Sequence, residues 1–512
     1  MVLQAELDAV DSAAPSVIPF SRNELFVGRE SQLAELETML FSDQENTTRL
    51  AIAGPGGTGK SQLALETAHR TRLKNKGCSV FWMDASDDDN LSRSLAVVAR
   101  KLRIAGCGDD QADMKQVVRR CVAAINARPC LLIFDNVEGT GVSRKGLSTG
   151  EAAALAEFLP HSKLCSVIFT TTDSDTAEAL APQNVVALRE LAPATALRML
   201  QNHLTWSLSE SEQQDAMCLL RELSYLPLAV SQAAACMNAS SMTVQQYQAQ
   251  LDEHKEAASK YSNASSEGAR QEFGLSNTVA VTLSVSLSQV CQRNAVAAEY
   301  LNFVACVDRK DISLDILEAV SPQVREDAVE VLDQYALVIR RPAESALDVH
   351  RLVHYALRKR LLVEQKLQQW IQRTITRLLW VFPSDNYSNK SKQRRLLPHA
   401  QYVLSHSKGN DDEERTTLAE KCATALYNDG KYKEAKGLWG QVMELRRRVV
   451  GQEHPSTLTS MNNLARALDQ QGKYEEAETM HRQALAMYKK VLGREHPNTL
   501  TSMSNLANVL ES

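Results

Sequence analysis

The sequence predicts an α/β domain with a parallel sheet, followed by an all-α domain, a small helical unit with short strands, and an α-helical solenoid. Three observations support this order. Short apolar runs alternate with helical stretches in the N-terminal third of the chain. The strand signals stop near Ala192, and a sequence pattern near the C-terminus recurs at a fixed interval.

Four short apolar runs predict the strands of the α/β domain, which we assign to residues 21–190. They are Arg49–Gly54, Ser79–Ala85, Cys130–Asp135 and Leu164–Thr170. Helical stretches such as "SQLALETAHRTRL" separate them, so we expect a parallel sheet that is covered on both faces. Residues 1–20 are rich in Ala, Ser, Pro and Asp and lack periodicity, which predicts a flexible tail.

The region after the sheet is predicted to be almost entirely helical. Residues 191–262 contain only helical patterns, and a polar stretch after them reads as a loop. Residues 275–362 combine helices with a short strand pair, "ALVIRR" and "ALDVHRL", a pattern that suits a winged-helix domain. A helical linker is predicted for residues 363–410.

Residues 415–512 are repetitive, because Gly451 recurs as Gly493 and Gly430 recurs as Gly472, each 42 residues later. A fixed period with two helices per unit predicts a helical solenoid. In its G-x-Y-x-x-A pattern, glycine permits a tight turn, tyrosine fills the groove between helices, and alanine allows close approach. These residues resemble the tetratricopeptide repeat in the longer form of kinesin light chains, which implies a protein partner bound on the repeats.

The last predicted repeat is incomplete, because "TLTSMSNLANVLES" supplies a first helix without its partner helix. An apolar stripe is therefore expected to stay uncovered. Two explanations are open at this point: the chain is a fragment of a longer protein, or the stripe is a docking site.

Composition indicates a globular, cytoplasmic protein. Hydrophobic residues make up 44% of the chain, and the formal net charge is −5, so no global basic field favours nucleic acid. The basic runs at residues 358–360 and near Arg394 are interpreted as solvated helix faces. Ten cysteines without a CxxC pair predict reduced core thiols. Neither a signal peptide nor an 18-residue apolar stretch is present, so no membrane association is expected.

The most specific motif is a phosphate-binding loop that follows the first predicted strand. The eight residues fit G-x-x-x-x-G-K-[ST] and are Gly54, Pro55, Gly56, Gly57, Thr58, Gly59, Lys60 and Ser61. Glycines let backbone N–H groups turn inward around phosphates, and the following helix adds its positive N-terminal end. Lys60 is expected to contact the β- and γ-phosphates, and Ser61 to ligate Mg²⁺.

A second element of the same site is predicted at the end of "CLLIFD". Four apolar residues followed by Asp135 place a carboxylate at the tip of a buried strand, 75 residues after Lys60. This is the Walker B position, where the carboxylate holds Mg²⁺. Lys60 and Asp135 are therefore the candidate catalytic residues, and Ser61 and Asp135 are the candidate metal ligands.

Residues 20–360 resemble the NB-ARC family of signalling NTPases. In "FVGRE", the resemblance implies that Val27 and Arg29 lie near the adenine. "SVIFTTTD" matches the sensor-1 strand with Thr171, and "SYLPLAV" matches the GLPL motif, whose Pro227 packs on the adenine. "LDVHRLV" matches the MHD motif, so that His350 reaches the β-phosphate of ADP. Gln62, directly after the phosphate loop, completes the predicted nucleotide site.

Four positions depart from the family pattern. Asn136 replaces a second acid and cannot accept a proton from attacking water. Thr172 replaces a sensor arginine, and losing a charged donor to the γ-phosphate forfeits roughly 1.5–3 kcal/mol. Tyr225 replaces the glycine of GLPL, and Arg351 replaces the aspartate of MHD. Hydrolysis is therefore expected to be slow or absent.

The resemblance implies a switch that binds ADP at rest, opens when a ligand docks on the repeats, and forms homo-oligomers with ATP and Mg²⁺. The resemblance also implies a role like that of relatives in innate immunity or heterokaryon incompatibility. Two alternatives are open. One is a repeat scaffold with a degenerate NTPase domain, favoured by Asn136 and Thr172. The other is an ATPase motor or metabolic kinase, which the long helical tail argues against. DNA binding through the winged helix is not expected.

Overall fold

The fold is taken from a computed structural model, which describes residues 14–40, 47–104, 114–137, 159–262, 277–384, 389–407 and 413–511. The chain divides into two compact units. The first comprises residues 1–289 with 334–336, and the second comprises residues 290–333 with 337–512.

A five-stranded parallel sheet forms the centre of the first unit. Its strands are β1 (Thr48–Ala53), β2 (Ser79–Asp84), β3 (Cys130–Asp135), β4 (Cys165–Thr171) and β5 (Val185–Ala187), and their order is β2-β3-β4-β1-β5. All four neighbouring pairs are parallel. Because all the carboxyl ends lie at one edge, the residues directly after β1, β3 and β4 lie close together there.

Five helices belong to this sheet: α1 (Glu30–Leu40), α2 (Lys60–Lys74), α3 (Asp88–Lys101), α4 (Met114–Asn126) and α5 (Ser174–Leu180). Alternate residues of β1 enter opposite faces. Leu50 and Ile52 share one core with Leu63 of α2, whereas Ala51 and Ala53 share the other with Phe134. Burial on both faces explains why the strands are continuous apolar runs.

The end of the predicted tail is ordered by pairing with β2. The N–H of Val17 donates to the carbonyl of Val80 at 2.8 Å, and the N–H of Trp82 donates to the carbonyl of Val17 at 2.9 Å. The Ser16 hydroxyl also accepts the N–H of Val80. The flexible tail predicted for residues 1–20 therefore needs correction at residues 14–20; residues 1–13 lie outside the described part of the chain.

The strands are followed by helices α6 (Pro193–His203), α7 (Glu210–Glu222), α8 (Pro227–Ser240), α9 (Val244–Ser262) and α10 (Asn277–Arg293). Proline begins α6 and α8, where its missing N–H costs nothing. A capping box of Ser209 and Glu212 begins α7. Local signals therefore specify where α6, α7 and α8 begin.

The second unit contains α11 (Ala295–Val304), α12 (Pro322–Gln334, most of whose length belongs here) and α13 (Arg351–Val363). A three-stranded antiparallel sheet lies among them, with order β6-β8-β7. Its strands are β6 (Ile312–Ser313), β7 (Ile339–Arg341) and β8 (Ala346–Asp348). The last two are the predicted strand pair, and helices combined with such a small sheet form a winged helix.

Helices α14 (Leu367–Val381) and α15 (Lys390–His406) lead into the repeats, which are α16 (Glu413–Asn428), α17 (Tyr432–Val449), α18 (Pro455–Asp469), α19 (Tyr474–Val491) and α20 (Pro497–Glu511). Gly430 and Gly472 adopt φ of 75° and 74° between paired helices, which explains the recurring glycine. The predicted fold class is confirmed. The domain boundaries given above stay predictions.

The face of α20 differs from that of the equivalent helix 42 residues earlier. Leu500 and Leu510 are 53% and 56% exposed, whereas their counterparts Leu458 and Leu468 are 0% and 2% exposed. Tyr488 and Ala484 of α19 cover Leu458. An apolar stripe on α20 is therefore uncovered within the described residues, as the repeat pattern predicted. Among the described residues, no helix combines the length and apolar character needed to cross a bilayer.

Candidate nucleotide-binding site

The phosphate loop joins β1 to α2, and three of its glycines adopt positive φ. The angles are 156° at Gly54, 84° at Gly57 and 91° at Gly59. A side chain at Gly54 would place its Cβ 2.4 Å from the carbonyl oxygen of Leu188. The loop therefore needs glycine both for its backbone turn and for the close approach of the chain after β5.

Lys60 begins α2 and is 9% exposed. Its Nζ donates to the carbonyl oxygens of Gly54 at 2.7 Å and Pro55 at 2.9 Å. The Thr58 hydroxyl donates to the same Pro55 carbonyl at 2.8 Å. These bonds hold the ammonium group inside the curve of the loop, where a phosphate would meet both its charge and the loop's N–H groups.

The carboxylate of Asp135 lies at the same edge of the sheet and is 7% exposed. Its Oδ1 accepts the Ser61 hydroxyl at 2.7 Å and the Thr170 hydroxyl at 2.6 Å. Sequence reasoning predicted Ser61 and Asp135 but missed Thr170. The only available signal was its position directly before Thr171 in the sensor strand.

Asn136 has a φ of 64°, a left-handed conformation that asparagine tolerates better than most residues. Its N–H donates to the Thr170 hydroxyl at 2.9 Å, and its side-chain Nδ2 donates to Asp135 Oδ2 at 3.2 Å. The side-chain amide of Asn136 therefore helps to hold the Asp135 carboxylate in place. It supplies no second acid, so the site offers little general-base chemistry at this position.

The donor set fits a magnesium ion. Mg²⁺ prefers hard oxygen ligands, and the Ser61 hydroxyl and the Asp135 carboxylate already lie within hydrogen-bond distance of each other. Lys60 and the N–H groups of the loop are on the same side of the sheet. The residues present could therefore hold a nucleoside phosphate together with Mg²⁺.

Arg29 lies beside the phosphate loop, and its φ is 70°. Its guanidinium donates to the carbonyl oxygens of Thr58, at 3.1 Å, and Arg189. Burial lowers the pKa of Arg29, and the nearby Glu190 opposes that shift. Val27 is half-buried two residues before Arg29. Arg29 thus connects the "FVGRE" segment to the phosphate loop, and the predicted adenine contacts of Val27 and Arg29 stay predictions.

The GLPL-like segment packs directly on the phosphate loop. The N–H of Leu228 donates to the carbonyl of Gly57 at 3.2 Å. A Cβ on Gly59 would lie 3.9 Å from Pro227 Cγ, and one on Gly57 would lie 3.3 Å from Leu228 Cβ. Pro227 is thus brought to the loop, together with Leu228, a neighbour that sequence reasoning did not single out.

The remaining predicted residues occupy varied positions. Thr171 is 1% exposed, pairs with Ala53 at the start of the loop, and accepts the N–H of Asp173 through its hydroxyl. The Gln62 side chain accepts from Asn23 at 2.9 Å in an exposed position. Gly56 is buried within the loop. Their nucleotide contacts stay predictions.

His350 belongs to the second unit, where it is the N-cap residue of α13. Its Nδ1 accepts the N–H of Leu352 at 3.2 Å, which caps the helix. Arg351, which replaces the family's aspartate, is the first residue of that helix. The contact of His350 with the β-phosphate stays a prediction.

A parallel sheet, a phosphate loop at its carboxyl edge and a buried aspartate beside the loop define a P-loop nucleotide-binding protein. Comparison with family models agrees. Residues 29–207 match the NB-ARC domain, and residues 422–456 and 457–498 match the tetratricopeptide repeat. The chain therefore contains an NB-ARC domain followed by C-terminal tetratricopeptide repeats.

Individual relatives match this chain over different lengths. A nucleotide-binding leucine-rich repeat (NLR)-like protein of Hyaloscypha variabilis is 32% identical over 87% of this chain, which spans 46% of that relative. Regulatory protein AfsR of Streptomyces griseus is 24% identical over 61% of this chain and 30% of its own length. A STAND protein with a tetratricopeptide repeat sensor from Pyrococcus horikoshii is 14% identical, with a TM-score of 0.46 over 98% of this chain and 72% of that one.

Proposed function

We propose that this protein is a nucleotide-dependent signalling switch, which binds ADP in a resting state and ATP with Mg²⁺ in an active, oligomeric state. A protein partner on the repeats promotes the exchange. The NB-ARC match and the NLR-like name of the fungal relative support the proposal at the level of class. The tetratricopeptide repeats support a protein ligand.

One observation carries the proposal: Lys60, Ser61 and Asp135 meet at one end of the sheet, with the Ser61 hydroxyl 2.7 Å from Asp135 Oδ1. A degenerate loop would have no reason to retain a lysine inside the phosphate curve and a hydroxyl beside a buried carboxylate. In the proposed function Lys60 holds the β- and γ-phosphates, and Ser61 and Asp135 hold Mg²⁺.

Hydrolysis is proposed to be slow. The groups that bind phosphate and metal are retained, but Asn136 lies where a second acid would assist the attacking water. A slow enzyme stays in its ATP-bound state long enough to signal. Turnover near about 10 per second, typical of metabolic enzymes, would contradict this part of the proposal.

The first experiment measures the nucleotide released when protein purified without added nucleotide is denatured. We expect about one ADP per chain, separated by chromatography and identified by mass. Lys60→Ala is expected to abolish the bound nucleotide because it removes the charge inside the loop. Lys74→Ala is the matched control, since Lys74 lies on the same helix, is 65% exposed and pairs with Glu37.

A second experiment tests His350. His350→Ala is expected to accelerate exchange of labelled ADP in the full chain, because the proposal gives His350 a contact with the β-phosphate. An exchange rate equal to that of the wild type would remove His350 from the nucleotide site and leave the role of Lys60 untouched.

The second candidate function is a repeat scaffold with a degenerate NTPase domain. Asn136 and Thr172 favour it, because both positions lack the charged side chain that the NB-ARC pattern carries there. This candidate predicts no released nucleotide and no binding of added ADP or ATP. One ADP per chain that disappears in Lys60→Ala would exclude it.

A further inference from the structure

Helix α15 presents three side chains to the winged helix at helical spacing. Arg395, His399 and Tyr402 recur at intervals of four and three residues, so they lie on one face. His399 is 1% exposed, and its Nε2 lies 3.1 Å from the carbonyl oxygen of Asp311. This face of α15 therefore makes its contacts within the second unit.

Asp311, directly before β6, is the centre of these contacts. Arg395 binds its carboxylate with two donors: Nη2 to Oδ1 at 3.0 Å and Nε to Oδ2 at 3.1 Å. Arg341 of β7 donates to the same Oδ1 at 2.6 Å. Two guanidinium groups from different elements thus share one carboxylate, a geometry that is strong and directional.

The same residue is connected to the strand that leads to His350. The N–H of Asp311 donates to Asp348 Oδ1 at 2.8 Å, and Asp348 is 2% exposed at the end of β8. The N–H of Val349 donates to the carbonyl of Arg309 at 2.8 Å. The segment before His350 is therefore fixed by the segment around Asp311.

Tyr402 extends this contact to the helix that His350 caps. Its ring lies 5.5 Å from the ring of His354 and 5.7 Å from the guanidinium carbon of Arg358, both on α13. Arg358 also donates to the carbonyl of Ala305, so this part of the basic run at residues 358–360 contacts protein groups. Helix α15 thus contacts Asp311, which is bonded to the strand before His350, and also α13, the helix that follows His350.

The neighbouring face of α15 contacts the repeats. Arg394 forms an ion pair with Asp429, with Nη2 and Oδ1 2.8 Å apart, and Gln401 donates to Glu434 at 3.3 Å. One helix therefore contacts both the repeats and the residues around His350.

We propose that Asp311 is a positioning residue through which α15 fixes the His350 segment, so that a displacement of the repeats changes nucleotide release. The inference rests on the proposed function for its effect on nucleotide. Its structural part, the fixing of the segment by Arg395 and Asp311, has an independent readout in amide hydrogen exchange.

The test compares Arg395→Ala with Arg394→Ala in the full chain. The two arginines are adjacent on α15 and each pairs with one aspartate, Asp311 or Asp429. Arg395→Ala is expected to release ADP about tenfold faster, the effect of about 1.4 kcal/mol. It is also expected to speed amide exchange in residues 346–350. Arg394→Ala should leave the rate of ADP release and the amide exchange of residues 346–350 close to wild type. Equal behaviour of the two variants overturns the inference.

Asp311→Asn is a second variant, chosen to separate the positioning role of Asp311 from a general loss of folding. Asp311 has a φ of 51°, which asparagine tolerates, and the backbone carbonyl that His399 contacts is retained. The change removes the negative charge that Arg341 and Arg395 share and replaces one accepting oxygen by an NH₂ donor. We expect the same faster exchange in residues 346–350 with little change in melting temperature, and exchange at the wild-type rate would overturn the inference.

The two failures are distinguishable. A wild-type chain that binds no nucleotide refutes the proposed function, and amide exchange then decides whether Asp311 positions the segment. A chain that binds ADP normally but shows no faster release or exchange in Arg395→Ala refutes the inference and leaves the proposed function standing.

Discussion

Thr170→Val tests the side-chain cluster at the end of β3. Valine is close to threonine in shape, and Thr170 is 0% exposed, so the change removes hydrogen bonds with little change in packing. The hydroxyl donates to Asp135 at 2.6 Å and accepts the N–H of Asn136 at 2.9 Å. A hydrogen bond to a charged group contributes about 1.5–3 kcal/mol, and an orphaned buried N–H costs about 1–3 kcal/mol.

Thr171→Val is the matched control on the same strand. Thr171 is 1% exposed, and its hydroxyl accepts one N–H, that of Asp173, at 3.2 Å. Its loss should cost about 1 kcal/mol. We therefore expect Thr170→Val to destabilise β3 by about 2 kcal/mol more than the control, which corresponds to about thirtyfold faster exchange.

Amide hydrogen exchange followed by mass spectrometry gives the readout, in peptides that cover residues 130–137. A local measurement is needed because a chain of several domains does not unfold in one step. The reasoning fails if Thr170→Val speeds exchange in these peptides no more than Thr171→Val does. In that case Asp135 would be held by Ser61 and Asn136 without help from Thr170.

Three further predictions concern single residues. Gly54→Ala, whose Cβ would lie 2.4 Å from the Leu188 carbonyl oxygen, should destabilise the α/β domain by about 3 kcal/mol, measured by amide exchange in peptides that cover β1, whereas Gly77→Ala, with no atom closer than 3.5 Å, should be almost neutral. Asn136→Asp should raise phosphate release from ATP roughly tenfold, and an unchanged rate would show that the missing acid does not limit turnover. Burial lowers the pKa of His354 from 6.5 to about 4, so below pH 6.5 the unfolded chain binds the extra proton and stability falls as pH falls. Moving from pH 7 to pH 5 should cost about 2 kcal/mol of local stability, measured by amide exchange in peptides that cover α13 and corrected for the intrinsic pH dependence of exchange, and His354→Gln should lose this contribution.

The parts of the site that sequence could predict are those whose chemistry is contiguous in the chain. The phosphate loop occupies eight successive residues, and Asp135 follows an apolar strand directly, so both were visible locally. Thr170 was not, because its contact with Asp135 depends on how β3 and β4 pair. Pattern within one strand carries no information about the residue opposite it in the neighbouring strand.

The same limit applies to Asp311 and to the N-terminal segment. The partners of Asp311 are Arg341 and Arg395, 30 and 84 residues away, and no periodicity connects them. Residues 14–20 looked like a tail because Ala, Ser and Pro give no strand signal. Their order comes from the backbone groups of β2, which accept almost any sequence as a partner.

The pairing of residues 14–20 with β2 also protects the sheet. β2 is the terminal strand in the order β2-β3-β4-β1-β5, so its outer backbone groups would otherwise be available to another chain. Val17 occupies those groups at Val80 and Trp82, and Phe20 packs edge-on against Trp82 with ring centroids 6.2 Å apart. A truncated protein that begins at residue 29, where the NB-ARC match begins, would lose this cover and is expected to aggregate through the exposed edge.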